Sequence, residues 1–259
     1  MQTKIRIGAV SYLNTKPLIF GFEHGMMADR VDLKIDFPSS IARMLLKDEI
    51  DVGLVPIAII PELKEYYIIS DYCISCDGAV ASVCLFSDVD LHNIKKVLLD
   101  YQSTTSIGLL KLLAKEYWKI DPVFENTSGE YQSQISGSTA GLIIGDRALS
   151  QRKFSKYIFD LGLEWKKFTG LPFVFAAWVS NKKLDDAFIK SFNEANALGI
   201  NNLEKVISEN DYKDFDLIMY YTEYINYNLN DDKTAAMRLF LEKTGTAIAA
   251  GRTSNLLKQ

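Results

Sequence analysis

The first apolar run of the chain, Ile5 to Val10, breaks off into six mostly polar residues, Ser11 to Lys16, before Pro17 and a second apolar run begin. β-Branched Ile5, Ile7 and Val10 favour a strand, and Gly8 and Ala9 are small enough to let neighbouring backbone come close. Pro17 stands where a first helical turn tolerates it, and Leu18, Ile19 and Phe22 continue at helical spacing, which predicts a short helix over Pro17 to Glu23. The stretch therefore reads as strand, polar elbow and helix start. In α/β proteins ligands sit at such junctions, beyond the carboxyl end of a strand and beside a helix N-terminus. Val31 to Phe37 then alternates apolar and charged residues as a half-buried strand closed by Pro38. Ser39 or Ser40 is placed to cap the helix IARMLLKDEI, with Ile41, Met44, Leu45 and Ile50 on one face. DVGLVPIAII gives a short buried strand ending at Pro56, and this order opens a parallel α/β sheet.

Two further strand signals follow, YYIISDYCIS and AVASVCLFS, and at Phe86-Ser87-Asp88 the pattern restarts. KKVLLD is a new strand, and YQSTTS leads into the helix IGLLKLLAKEYW, so Ser103, Thr104, Thr105 and Ser106 repeat the arrangement of the opening elbow. After a weak helix signal at Ser128 to Ile135, GLIIGD forms another strand whose end, Gly145-Asp146, caps a helix from Arg147. LPFVFAAWVS returns the chain to where AVASVCLFS left it. Apolar residues three or four apart then predict helices over Leu184 to Leu198, Leu203 to Ile207, Asp214 to Tyr221 and Asp232 to Leu241. The expected architecture is two α/β lobes with a cleft between them, residues 1–87 with 172–259 in one and 88–171 in the other.

Composition narrows the function. Of 259 residues 48% are hydrophobic and 24% charged, and the net charge of -4 with a pI near 5.4 leaves no basic run to neutralise nucleic-acid phosphates. An anion would have to be held locally, by helix ends and a few donors. The chain opens MQTKIRIGAV, with no charged and apolar leader ahead of the first strand, and no apolar run nears a membrane span, so a cytoplasmic protein without membrane association is expected. Cys73, Cys76 and Cys84 are too few for a disulfide scaffold, and the CxxC of Cys73 and Cys76 has no second pair or nearby His, so it reads as core cysteines and no metal. Neither His24 nor His92 lies at a strand end with carboxylate or thiol partners nearby in sequence, and no HExxH, GxSxG, P-loop or GxGxxG is present. What remains is a site of neutral donors around a small ligand: Ser11 to Lys16, Ser82, Ser103 to Ser106, and Gly145-Asp146. Any one cluster is more often only a helix cap, but donors at several strand ends of two lobes can converge on one cleft.

Taken in order, SYLNTKPL, IDVGLVPIA, ASVCLFS, LDYQSTTS, LIIGDRAL and TGLPFVFAAW resemble the chorismate dehydratases of the futalosine route to menaquinone, from about Ile5 to Trp178 and more loosely through YINYNL. The chain departs from that pattern at Ser138 to Gly141, where an acidic residue is expected. The resemblance implies a type II periplasmic-binding-protein-like fold, α/β and two-lobed, and a hydro-lyase that needs no cofactor. It implies chorismate as the small-molecule substrate, with a homodimer left open. On this reading Asn14 and Ser82 are catalytic, and Ser11, Tyr12, Thr15, Lys16, Ser103, Thr104, Thr105, Ser106, Gly145 and Asp146 bind substrate. Two alternatives stand beside it: a solute-binding protein of the same fold without catalysis, which would need an export signal, and the sister 1,4-dihydroxy-6-naphthoate synthase, which differs at the SYLNT elbow.

Overall fold

A computed structural model of the chain describes residues 4–245. Eleven strands fall in two sheets: β1 (Ile5–Val10), β2 (Val31–Asp36), β3 (Val52–Pro56), β4 (Tyr67–Cys76), β5 (Val83–Ser87), β6 (Lys96–Leu99), β7 (Val123–Asn126), β8 (Thr139–Ile144), β9 (Tyr157–Asp160), β10 (Phe173–Ser180) and β11 (Asn226–Asn228). The first sheet runs β11-β4-β10-β3-β1-β2, and the second runs β7-β6-β8-β5-β9. In the first, β1 is parallel to β2 and β3, while β10 runs antiparallel between β3 and β4. In the second, β6 is parallel to β7 and β8, while β5 runs antiparallel between β8 and β9. Each sheet thus has a parallel half, built by strand-helix-strand crossovers, and a strand of opposite sense joining it to the rest of the chain. The expected two-lobed α/β fold is what the chain adopts.

The helices are α1 (Lys16–Glu23), α2 (Pro38–Leu46), α3 (Thr104–Leu112), α4 (Asp146–Gln151), α5 (Leu161–Thr169), α6 (Asp186–Ile200), α7 (Leu203–Ser208), α8 (Leu217–Met219) and α9 (Asp231–Lys243). Strands β3, β5 and β10 are buried along their whole length, which is why they read as unbroken apolar runs. Trp178 on β10 packs edge-on against Phe22 of α1 and Phe192 of α6, and its indole N–H donates to Asn196 at 2.8 Å. Trp165 of α5 reaches across to Phe173 of β10 and Phe240 of α9, so aromatic packing also joins the two sheets' elements.

Several expectations differ in detail. β5 hydrogen-bonds within the second sheet, so the change of sheet falls at residues 77–82, ahead of the lobe boundary expected at residue 87. Ser82 lies in that crossing segment and not on a strand. Neither Ser39 nor Ser40 caps α2: the helix starts at Pro38 after extended Phe37, and the Ser40 hydroxyl donates instead to Asp36. Helix α4 begins at Asp146, with Gly145 at its N-cap. The 214–221 helix is a single turn, α8, followed by a wide turn over Tyr220–Tyr224. Strands β7, β9 and β11 and helix α5 have no counterpart in the sequence reading. β7 is a four-residue edge strand whose Val123 is 67% exposed, and β11 has a single buried side chain, Tyr227, so neither carries a burial pattern.

The elbow's helix is seated by two glycines at one interface. A Cβ on Gly21 would stand 2.3 Å from the Ala195 carbonyl oxygen of α6, and one on Gly199 would stand 2.1 Å from the Pro17 carbonyl oxygen of α1. Backbone therefore meets backbone where α1 crosses α6, and no side chain can swing aside. Gly21→Ala and Gly199→Ala are each expected to destabilise the protein by about 1–3 kcal/mol or more, read from denaturant midpoints. Midpoints equal to the parent's would refute this packing.

Candidate ligand cleft

Five strand ends of the two sheets point at one place. The ends of β1, β2, β3, β6 and β8 each give way to a helix or helical turn, beginning at Leu13, Pro38, Ile57, Thr104 and Asp146. Between them lies a cleft of about 460 Å³, mouth included, whose walls include Tyr12 and Asn14 from the elbow, Pro38, Pro56, Ser103 and Ser106, and Ile144 with Gly145. Val80, Val83, Ile74 and Phe175 close its apolar side. None of these lining residues is charged. The positive field comes from helix starts, whose first N–H groups have no partner inside the helix. An anion bound here meets oriented dipoles in an apolar setting, where each counts for more than in water.

The elbow is held from three sides. The Tyr12 hydroxyl donates to Gln102 Oε1 of the other lobe, and burial, helped by the nearby Asp100 charge, pushes its pKa well above the usual phenol value. The Leu13 N–H donates to Asp146 at 3.1 Å, again across the cleft. From the C-terminal segment, Tyr221 donates to the Leu13 carbonyl at 3.0 Å and Tyr227 to the Asn14 carbonyl at 2.9 Å. The elbow's backbone and the Tyr12 side chain are therefore fixed, whereas among the described residues the Asn14 carboxamide has only the Thr15 hydroxyl, which donates to its Oδ1 at 3.4 Å. Gly145 faces the Tyr12 ring so closely that a Cβ there would lie 2.8 Å from it, and its φ of +65° is left-handed, so a side chain is excluded on both counts.

The sequence-expected residues divide accordingly. Tyr12, Asn14, Ser103, Ser106 and Gly145 line the cleft together. Thr15 is buried behind Asn14, and Asp146 bridges the lobes. Ser103 caps α3, its hydroxyl accepting from the Ser106 N–H and lying 3.1 Å from the Ser106 hydroxyl. Thr105 turns away, its hydroxyl accepting from the Ala58 N–H of the opposite lobe at 3.1 Å. Ser11 and Thr104 are exposed outside the lining, and Lys16 leans along α1 toward Glu23 at 3.6 Å. Ser82 is fully buried just beneath the wall, between the lining residues Val80 and Val83. Its neighbour Ala81 has a left-handed φ of +61°, and the Asp160 carboxylate accepts from the N–H groups of both Val80 and Ala81, at 3.0 and 2.8 Å. That carboxylate holds a conformation a non-glycine residue resists.

Residues not anticipated form the layer behind. Buried Asp100 accepts from Arg147, Tyr131, and the N–H groups of Gln102 and Ile144, tying the β6 loop to the end of β8. Tyr220 is wholly buried beside Ser82 and Asn14. The signal in the sequence was four tyrosines within eight residues, Tyr220, Tyr221, Tyr224 and Tyr227, but nothing in their spacing says that they face the first elbow. Cys73, Cys76 and Cys84 are buried and unpaired, and His24 and His92 are exposed. Among the described residues no helix is long and apolar enough to cross a membrane.

Comparison with known proteins follows the same lines. A family model described as menaquinone biosynthesis matches residues 5–246. The chain is 26% identical to a chorismate dehydratase of Thermus thermophilus, covering 94% of this chain and 96% of that one, and 26% identical to a chorismate dehydratase of Campylobacter jejuni, covering 91% and 95%. Among solved structures, a protein from Archaeoglobus fulgidus superposes with a TM-score of 0.75 at 16% identity over 93% of this chain and 97% of that one. The periplasmic aliphatic sulphonate binding protein of Escherichia coli gives 0.57 at 14% identity over 93% and 91%, a likeness of fold.

Burial raises the pKa of Asp146 from 3.8 to about 6, against the pull of the Leu13 N–H and Lys16. Between those values the folded protein holds a proton that the unfolded chain has released, so the stability it adds is full below pH 3.8 and lost as pH rises through 6. Asp146→Asn keeps an acceptor for Leu13 without the charge. Relative to the parent, this variant should gain about 1–2 kcal/mol of stability as pH rises from 5 to 7.5, the rest of the effect lying below pH 5. A difference in melting temperature that does not change with pH would contradict the assignment.

Proposed function

The chain belongs to the menaquinone-biosynthesis family, and from that premise we propose that it is a chorismate dehydratase, a lyase that removes water from chorismate to give 3-[(1-carboxyvinyl)oxy]benzoate. The supporting observation is an uncharged cleft ringed by helix starts and hydroxyl donors from two lobes. Such a cleft suits a flat dicarboxylate whose reaction needs charge stabilised and not a strong base.

Chorismate is a cyclohexadiene bearing a ring carboxylate, a hydroxyl, and an enolpyruvyl ether with a second carboxylate. The proton lost lies on the ether-bearing carbon, vinylogous to the ring carboxylate, so negative charge spreads onto that carboxylate as the proton leaves. Donors already aimed at it lower the barrier without having to reorganise. In our reading the Ser103 and Ser106 hydroxyls and the opening N–H groups of α3 hold one carboxylate from the second lobe. Of the threonines, Thr104 and Thr105 contribute through backbone, since the Thr105 hydroxyl is engaged by Ala58. Asn14 donates to the departing hydroxyl, with Ser82 supporting that wall of the cleft from beneath. The enolpyruvyl carboxylate, folded against the ring by the apolar wall, takes the proton and returns it to the leaving hydroxide. Water departs, the ring becomes aromatic, and the protein ends unchanged.

The lobes in this proposal are those expected from sequence, 1–87 with 172–259 and 88–171, with β5 moved to the second. Three buried, unpaired thiols suit a reducing compartment, so we place the reaction in the cytoplasm. Any homodimer would be read by sedimentation.

Purified protein incubated with chorismate should release a product lighter by one water, with an aromatic absorbance replacing that of the diene. Asn14→Ala and Ser82→Ala should each lower kcat by about 10²-fold. Binding of chorismate without turnover would favour a solute receptor, and full turnover in both variants would remove Asn14 and Ser82 from the chemistry.

A further inference from the structure

One hydroxyl in the core is out of place. Tyr220 is fully buried, and among the described residues its Oη is the one buried side-chain oxygen or nitrogen with no hydrogen-bond partner. A buried, unpaired hydroxyl is costly, and a phenylalanine would fill the same volume without that cost. Packing alone does not call for the oxygen. Edge-on contact with Phe215 and tilted contact with Tyr221 need only the ring. The polar side chains facing the hydroxyl are those of Ser82 and Asn14, with the charge of Asp146 and the ring of Tyr221 beyond.

We propose that Tyr220 is a positioning residue for Asn14: its hydroxyl donates to Asn14 Oδ1 when substrate is bound, so that the Asn14 amide N–H₂ is turned into the cleft. Three features support this reading. The Asn14 main chain is already fixed by Tyr227, which leaves rotation of the carboxamide as the remaining freedom. The Thr15 hydroxyl approaches the same Oδ1, but at 3.4 Å this bond is too long to hold the group alone. Burial, the largest influence on it, keeps the Tyr220 phenol protonated well beyond neutral pH, so it is a donor throughout the working range. An amide whose oxygen is held by two donors can offer only N–H to the cleft, and N–H is what a departing hydroxyl oxygen needs. Ser82 is the other polar side chain facing the phenol, and its own hydroxyl donates to the Val80 carbonyl at 3.4 Å. No covalent or proton-transfer step passes through it.

The inference rests on the dehydratase reading, and a double-mutant cycle with chorismate tests it. Tyr220→Phe should lower kcat by about three- to tenfold, the worth of one neutral hydrogen bond, with KM unchanged within about twofold. Its melting temperature should be equal to or above the parent's, because the unpaired hydroxyl is gone. A merely structural tyrosine would instead lose stability. In an Asn14→Ala background the same change should cost nothing further, whereas in a Ser82→Ala background the loss should persist. An unchanged kcat in Tyr220→Phe, a loss confined to KM, or an equal loss in the Asn14→Ala background would each overturn the proposal while leaving the dehydratase reading intact. Absence of turnover in the parent protein would overturn both.

Discussion

The bond on which the site depends is the one from the Leu13 N–H to the Asp146 carboxylate. Leu13 belongs to the elbow after β1 and Asp146 to the start of α4 after β8, so this contact ties the ends of the two parallel half-sheets together across the cleft. It is a charge-assisted bond made at a helix start, where a carboxylate is favoured by the local dipole and disfavoured by burial. Burial prevails over the Leu13 N–H and Lys16, which is why the Asp146 carboxyl titrates near 6. Around it the Tyr12–Gln102 and Ala58–Thr105 bonds repeat the same crossing. The cleft walls are therefore stitched through the very segments that line it.

A cleft of this kind would let a protein of net negative charge hold an anion. Long-range repulsion from a charge of -4 is screened over about 10 Å, whereas helix starts act within one turn. Lining the cleft with uncharged residues also avoids burying a cation that would need its own partner when the cleft is empty. Two arginines lie behind the lining and both are engaged there, Arg147 with Asp100 and Arg152 with the Ala81 carbonyl. Arg147 orders the β6 loop and is not among the residues that line the cleft.

Much of this was legible in the sequence because the relevant features are local. Strand, elbow and helix start at residues 5–23 follow from β-branched residues, a polar break and a proline. The same grammar at 96–112 and 139–151 gave the second lobe its parallel core. Cleft-lining Asn14, Ser103, Ser106 and Gly145 fall at those junctions. What was not legible is non-local. Whether the Thr105 hydroxyl faces a ligand or Ala58 depends on how two lobes close, and no spacing encodes that. Ser82 looked like a strand residue because VASVCLFS is uniformly apolar around it, while the break is imposed by Asp160, seventy-eight residues later, holding Ala81 in a left-handed turn. The short strands β7 and β11 carry too few buried side chains to leave a pattern.

The tyrosines that steady the elbow lie more than two hundred positions beyond it: Tyr221 meets Leu13 across 208 residues and Tyr227 meets Asn14 across 213. During synthesis the first strand, the elbow and its helix leave the ribosome long before their partners exist. Even the second lobe can be complete while the elbow still lacks them. The ligand pocket is therefore among the last parts of the molecule to mature, and contacts of such long range are slow to form. A chain ended before residue 221 would carry both sheets' parallel cores and still lack the two tyrosines that hold the elbow's carbonyls.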